Sequence, residues 1–254
     1  MIEILAVALR GMHQDMMRLD QVAMNLTNSA TPGYKRQTAT AKSFSQVADA
    51  YQGTAALAVS ADPAVTGVAS HIDRRAGTLK GTGQPRDSAI DGNGYFEVAT
   101  ESGPAYTRQG NFTVDPRGRL VTAQGHAVMG TGGEILLSGV TPSVDASGNL
   151  WDKSDSMAGQ AARPIGQLKI VHLDPGADLQ SLGNGLMTTT AEPVAVTGAD
   201  AQVKQGYLEN SNVTPVHEMV QLMQIMRHFE SLQKAAQGYD EMIGNAVRKL
   251  GDLS

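Results

Sequence analysis

The residues of this 254-residue chain that could do chemistry are few, and they converge on no reaction. His217 and Glu218 open like a His-Glu-x-x-His zinc helix, in which two histidines one turn apart hold the metal and the glutamate acts as base. Position 221 is Gln, so the second ligand is missing. Ser231 and Lys234 have the Ser-x-x-Lys spacing of an acylated serine, but no Lys-Thr-Gly accompanies them and Ser231 is an ordinary intervening position of a heptad stretch. Gly92-Asn93-Gly94 begins like a dinucleotide loop, yet no third glycine follows in place and no helix opens there; a tight turn before a strand at Tyr95 is the better reading. No Gly-x-x-x-x-Gly-Lys-Ser/Thr phosphate loop exists. His13, His71, His126, His172 and His228 are scattered, no two at ligand spacing on one predicted face. Asn25-Leu26-Thr27, Asn111-Phe112-Thr113 and Asn212-Val213-Thr214 match a glycosylation acceptor, a pattern frequent by chance. The expectation is no enzyme: no catalytic residue, no cofactor, no metal and no small-molecule substrate.

The elements that carry these residues are helical at the two ends. From Leu5, apolar residues recur at Leu9, Met12, Met16, Leu19, Ala23 and Leu26, a four-three spacing that predicts a heptad helix ending near Asn28, where Ser29, Thr31, Pro32 and Gly33 punctuate the chain. At the other end Asn212 or Thr214 is a candidate cap, Pro215 suits a first helical turn, and Glu218 lies within reach of a capping role. A second stripe follows through Leu222, Ile225, Phe229, Leu232, Ala236, Tyr239, Ile243, Ala246 and Leu250. Each stripe has a plain reading as an amphipathic helix on a local core. One local core does not demand both, and the simplest solution pairs the two helices with each other as an antiparallel or nearly antiparallel coiled coil. Leu9, Met16, Leu19, Leu222, Phe229 and Ile243 are then expected at the buried seam.

Between the helices the pattern is that of strands. Short β-branched and aromatic runs at 95–100, 105–107, 111–114, 119–122, 127–129, 143–145 and 149–151 are separated by turn residues such as Asp115-Pro116-Arg117-Gly118 and Ala146-Ser147-Gly148. Residues 165–173 are expected as the longest strand and 202–209 as the last. Residues 39–72 show no clean periodicity and read as an extended connector. The fold class is therefore α+β: paired N- and C-terminal helices plus a central, mainly antiparallel β domain. The expected division is 1–35 with 208–254 as the helical domain, 36–75 as connector, and 76–207 as the β domain.

Composition narrows the partners. The formal net charge is −5, with no basic stripe to neutralise phosphates, which argues against nucleic acid and against an anionic membrane surface. No apolar run approaches the roughly 20 residues that span a bilayer, and no secretory signal pattern opens the chain. The absence of cysteine removes thiol catalysis and disulfides. Eleven aromatic residues (six Tyr, four Phe, one Trp) are too few for stacking platforms.

Asn25-Leu26-Thr27-Asn28-Ser29-Ala30-Thr31-Pro32-Gly33-Tyr34-Lys35-Arg36 resembles the signature that ends the first helix of flagellar rod and hook axial proteins, which reads Asn-Leu-Ala-Asn and then Thr-x-Gly-Phe-Lys. Gly206-Tyr207-Leu208-Glu209-Asn210-Ser211-Asn212-Val213 is similar to the second signature of that family, opening the terminal helix. Asp91–Phe96, Ala105–Phe112 and Gly118–Val121 are similar to its core strands, so the resemblance covers nearly the whole chain. Tyr34 for Phe and Thr27 for Ala are mild departures. Arg227–Glu230 and Gly125–Gly130 are closest to the proximal-rod branch, with the distal-rod branch as competitor; a hook protein should be much larger. The resemblance implies a structural subunit of the rod in the periplasmic space, partnered by other rod proteins and copies of itself. It also implies passage through the flagellar type III export apparatus without a cleaved signal peptide. Asn25, Asn28 and Asn212 are read as caps first and intersubunit contacts second. The alternative class is a secreted β-domain adhesin with coiled-coil termini, which shares the helices and strands but leaves the two signatures unexplained.

Overall fold

The computed structural model describes residues 2–41, 68–137, 142–152, 164–196 and 201–251. Among the described residues, two helices and many short strands make an α+β protein, and the chain divides into two compact units. The first unit contains helix α1 (Ile2–Thr27), helix α2 (Pro215–Gly251) and the two-stranded sheet of Gln37–Ala41 with Val68–Ile72, except Ile72 itself, which belongs to the second unit.

The helices start and stop where local chemistry dictates. α1 ends in a turn in which the Asn28 carbonyl accepts from Thr31 N at 3.0 Å. Pro32 follows, and Gly33 takes a φ of 68° that a side chain would resist. α2 opens with Pro215 in its first position, where the missing N–H costs no helical bond; the Thr214 carbonyl accepts the first one from Glu218 N at 3.1 Å. The helices run antiparallel. Asn25 Nδ2 donates to Glu218 Oε2 at 3.2 Å, His228 Nδ1 lies 2.6 Å from Asp15 Oδ2, and a Cβ on Gly11 would stand 2.9 Å from Leu232 Cδ1. Each step down α1 is matched by an equal step up α2, so a single register holds along the pair.

The second unit, residues 28–36 with 72–213, is the β unit. Among the described residues its largest sheet has ten strands, with Gly103–Thr107 and Tyr95–Thr100 at the centre of the path and antiparallel pairing throughout. Successive side chains of a strand face opposite sides, so Tyr95–Thr100 serves two cores. Phe96 and Val98 pack with Val128, Leu150 and Ile170, while Tyr95 packs with Ile72, Tyr106 and Val171. Phe112 meets Phe96 edge to face at 5.2 Å.

Two turns repeat one device. Asp115 Oδ1 accepts from Arg117 N and Arg119 N, and Asp145 Oδ1 accepts from Ser147 N and Asn149 N, all at 2.8–2.9 Å. Gly118 and Gly148 then close the turns with φ of 84° and 79°.

Several expectations need correction. The strand expected over 165–173 is two pieces, Gly166–Gln167 and Ile170–His172, because the chain changes partner midway. The first piece pairs with Asn149–Asp152, the second with Tyr95–Thr100. The run 202–209 is likewise broken at Gly206, whose φ of 77° turns the chain from a ladder with Ser88–Gly92 to one with Leu79–Gly81. The two compact units part at Thr27 and Val213. Residues 28–36 and 208–213 hydrogen-bond into the β unit, as in Gly33 N to Glu209 O at 2.7 Å. The connector expected at 36–75 carries strands at both ends; its residues 42–67 lie outside the described residues.

Candidate assembly site

Both signature segments meet inside the β unit, in a clasp centred on Glu209. Its Oε1 accepts from Lys35 Nζ at 2.6 Å and from Gly77 N at 2.8 Å, and its Oε2 accepts from Arg108 Nη1 at 3.1 Å. Glu209, Lys35 and Arg108 are all buried. A carboxylate placed there without partners would be strongly destabilising; two cations and a backbone N–H offset that cost. Burial lowers Lys35 below the ordinary lysine value, and the Glu209 carboxylate opposes that shift. Lys35 also donates to Arg75 O at 2.8 Å. Arg108 spreads its charge over Ile90 O, Gly92 O and the face of Tyr95, 5.1 Å from the ring centroid.

Asn212 closes the clasp a turn further on. It was expected to cap α2, but its Oδ1 accepts from Arg36 N at 2.7 Å, and its Nδ2 donates to Asp73 O and Arg75 O at 3.0 Å. Gly33 is buried where any Cβ would collide with the backbone of Arg108 and Gln109. Around these, Tyr34 and Val213 are buried, Gly206 makes the turn, Leu208 is half-buried beside Glu209, and Ser211 Oγ accepts from Val213 N at 3.2 Å. Thr31 Oγ1 donates to Asn28 Oδ1 at 3.2 Å. The clasp therefore holds the segment leaving α1 beside the segment entering α2.

Within the helical unit the predicted stripes are placed unequally. On α2, Leu222, Ile225, Phe229, Leu232, Ala236 and Tyr239 are half-buried in one row with the buried Glu218. On α1, Met12, Leu19 and Leu26 are half-buried, but Leu9 and Met16 are each 54% exposed, against expectation. The inner row is Ala8, Asp15 and Val22 instead. The stripe on α1 is wider than one partner helix covers, and the Asp15–His228 pair draws the row one residue round. Leu5, Ile243 and Leu250 lie on the helices, but their side chains fall outside the described residues.

Asn25 bridges α1 to the strand that follows it. Its Nδ2 donates to Gln37 O at 2.7 Å and its Oδ1 accepts from Gln37 N at 2.9 Å, fixing the strand after the clasp on α1. Glu218, expected near the helix cap, is wholly buried against Asn25. The inner polar residues Asp15 and Arg108 were missed. Asp15 had a signal, since it sits seven residues from both Ala8 and Val22 in a second possible heptad phase; Arg108 had none.

The residues left outside share one side of the helix pair. Leu9, Met16 and Ala23 each follow an inner residue of α1 by one position, and Met219, Met223 and Met226 each follow an inner residue of α2 by one. One position is a rotation of about 100° in the same sense. In an antiparallel pair, related by a two-fold axis across the helices, equal rotations bring both rows to the same side. All six of these residues are exposed. The residues one position before the inner rows are mostly polar: Gln14 and Gln21 on α1; His217, Gln221, Gln224 and His228 on α2. The pair is thus amphipathic across its width. Among the described residues no His, Cys, Asp or Glu cluster could hold a metal, and no helix is long and apolar enough to cross a membrane.

Comparison with known proteins agrees with this geometry. Residues 204–249 match the model of the flagellar basal body rod FlgEFG protein C-terminal region, and residues 89–155 that of the flagellar hook protein FlgE/F/G D1 domain. The chain is 34% identical over 239 residues to the flagellar basal-body rod protein FlgF of Caulobacter vibrioides, covering 93% of each chain. It is 32% identical over 236 residues to FlgF of Salmonella typhimurium, covering 90% of each. It is 30% identical over 273 residues to the flagellar basal-body rod protein FlgG of Bacillus subtilis, covering 97% of this chain and 98% of that one.

Proposed function

This chain belongs to the flagellar basal-body rod protein family, a family of structural proteins rather than enzymes, and from that premise we propose that it is a proximal-rod subunit that polymerises through its terminal helices as a coiled coil. The observation that carries the reading is the row of Leu9, Met16, Met219, Met223 and Met226, exposed on one side of the helix pair. A contiguous apolar side of this kind is costly in water and marks an interaction surface. Packing of one subunit's pair on surfaces of the next is heterologous, and a heterologous contact that does not close on itself generates an axial filament. The proximal position is supported by the similarity of Arg227–Glu230 and Gly125–Gly130 to that branch and by the FlgF relatives at 34% and 32% identity. The reading also takes in other rod proteins as neighbours, the periplasmic segment of the basal body as location, and delivery by the flagellar type III apparatus without signal cleavage. It assigns no role for nucleic acid, membrane insertion or a small-molecule ligand.

The test is replacement of the apolar side without disturbing the seam. Met223→Gln with Met226→Gln should leave the far-ultraviolet circular dichroism and thermal unfolding of the purified chain unchanged. In a strain lacking the wild-type copy, the same variant should leave cells with few intact basal bodies and little motility. Normal basal bodies carrying the doubly substituted chain would overturn the reading.

A further inference from the structure

Lys35 and Asn212 meet at one oxygen. Lys35 Nζ donates to Arg75 O at 2.8 Å, and Asn212 Nδ2 donates to the same atom at 3.0 Å. The amine and the carboxamide are therefore neighbours, although one lies in the segment after α1 and the other in the segment before α2. Their surroundings suit a reaction between them. Glu209 Oε1 stands 2.6 Å from Lys35 Nζ, placed to take a proton from it. Arg36 N donates to Asn212 Oδ1 at 2.7 Å, where negative charge develops when the amide carbon is attacked. The side chains of Lys35 and Glu209 are 2% and 1% exposed, so both are shielded from water. Asn212 is half-buried, which leaves a departing nitrogen a path out. Burial lowers Lys35 below the ordinary lysine value; Glu209 opposes that shift and the Arg108 charge adds to it. A desolvated amine beside a second cation is an activated nucleophile.

We propose that Lys35 and Asn212 join in an intramolecular isopeptide bond that locks the clasp covalently. Lys35 begins as an ammonium and gives one proton to Glu209. The flexible four-carbon stem lets the neutral Nζ swing from the shared oxygen to Asn212 Cγ without a backbone movement. Glu209 hands its proton to Nδ2 and takes a second one from Nζ. The Nζ–Cγ bond forms and the Cγ–Nδ2 bond breaks. The leaving ammonia takes up the proton that Glu209 holds, so an ammonium ion departs and the carboxylate is restored. Nothing is oxidised or reduced, and no cofactor enters. The product also balances the buried charge: two cations face one carboxylate before the bond, and Arg108 alone faces Glu209 after it. The bond closes the chain of the β unit from residue 35 to residue 212 and restricts the unfolded chain as a disulfide does, in a sequence that has no cysteine. Tension on the two segments is then borne by a covalent bond rather than by the strands.

The test is the intact mass of the purified full-length chain, followed by tryptic mapping. The expected mass is lower than that of the sequence by one ammonia. The tied fraction should rise while folded protein is incubated and stay constant in urea, and digestion should yield a branched peptide joining the Lys35 and Asn212 segments. A succinimide at Asn93-Gly94 or Asn184-Gly185 also loses ammonia, but it opens in hydroxylamine and joins no peptides. Lys35→Arg and Asn212→Ala should both keep the full mass, and each should unfold in urea several-fold faster than the tied chain. Glu209→Gln removes the proton acceptor and should slow bond formation about 100-fold; the unsubstituted chain decides the matter even where that variant does not fold. A folded wild-type chain that keeps its full mass, or one that loses ammonia without a branched peptide, would leave a noncovalent clasp only and overturn the inference.

Discussion

Glu209 ties the β unit together, since Lys35, Gly77 and Arg108 come to it from three separate stretches of chain. Glu209→Gln leaves two buried cations with a neutral partner. Loss of one member of a buried ion pair costs about 3–5 kcal/mol, so urea unfolding should show a drop of that order. Adding Lys35→Met should recover part of the loss, because the two residues interact directly. The turn aspartates act at low pH. Burial tends to raise Asp145, but hydrogen bonds from Asn149 and Ser147 outweigh it and hold the carboxyl below its ordinary value of 3.8. Asp115 is held down in the same manner by Arg119 and Arg117, and Asp73 chiefly by Arg75. A depressed carboxyl stabilises the fold at pH values above its unfolded pKa and loses that effect as pH falls through the folded one. Thermal unfolding should therefore weaken below about pH 4, and Asp145→Asn should weaken that dependence. An unchanged acid profile in Asp145→Asn would contradict the assignment.

At the scale of elements, the α1-to-strand turn and the helix pair make different demands. Gly33→Ala must adopt a φ of 68° and place a methyl against the backbone of Arg108 and Gln109. Strain of about 1–3 kcal/mol from the conformation alone, plus displacement of the clasp, should lower the melting temperature of the β unit without touching helix propensity. Phe229→Asp sets a charge in the half-buried row of α2. It should cost the pair several kcal/mol if the site is desolvated, abolish incorporation into basal bodies, and leave the near-ultraviolet signal of the β unit intact. The heptad pattern made the existence of both helices legible. It did not give the phase on α1, because rows 9–16–23 and 8–15–22 both run beside the shared Met12, Leu19 and Leu26. Only the pairing of the polar Asp15 with His228 decides between them.

For the whole molecule, the β unit is discontinuous in sequence, and its stability should show it. A fragment of residues 28–213 keeps Gly33 and Lys35 with Glu209; a fragment of 72–213 leaves Glu209 with Arg108 and the Gly77 amide alone. The longer fragment should unfold at a clearly higher urea concentration, and equal midpoints would show that the clasp contributes nothing. The strands at 95–100 and 127–130 and the turns at Gly118 and Gly148 were legible because turn chemistry and side-chain alternation are local. Leu179–Gly183 and Leu186–Thr189 were not, because their sequences carry little β propensity and only pairing across the Asn184 turn makes them strands.

By itself the sequence determined the helical ends, the β middle, the turns, the absence of a catalytic set and the family, since each rests on neighbours within a few residues or on separated motifs read in order. The tertiary structure alone decided which face of α1 turns inward, where 165–173 and 202–209 break, and what the signature residues do. Lys35 and Glu209 are 174 positions apart, and Asn25 and Glu218 are 193 apart. No local pattern can state whether a charged residue at such a distance finds its partner, since the energy that buries it is released only when the two segments meet.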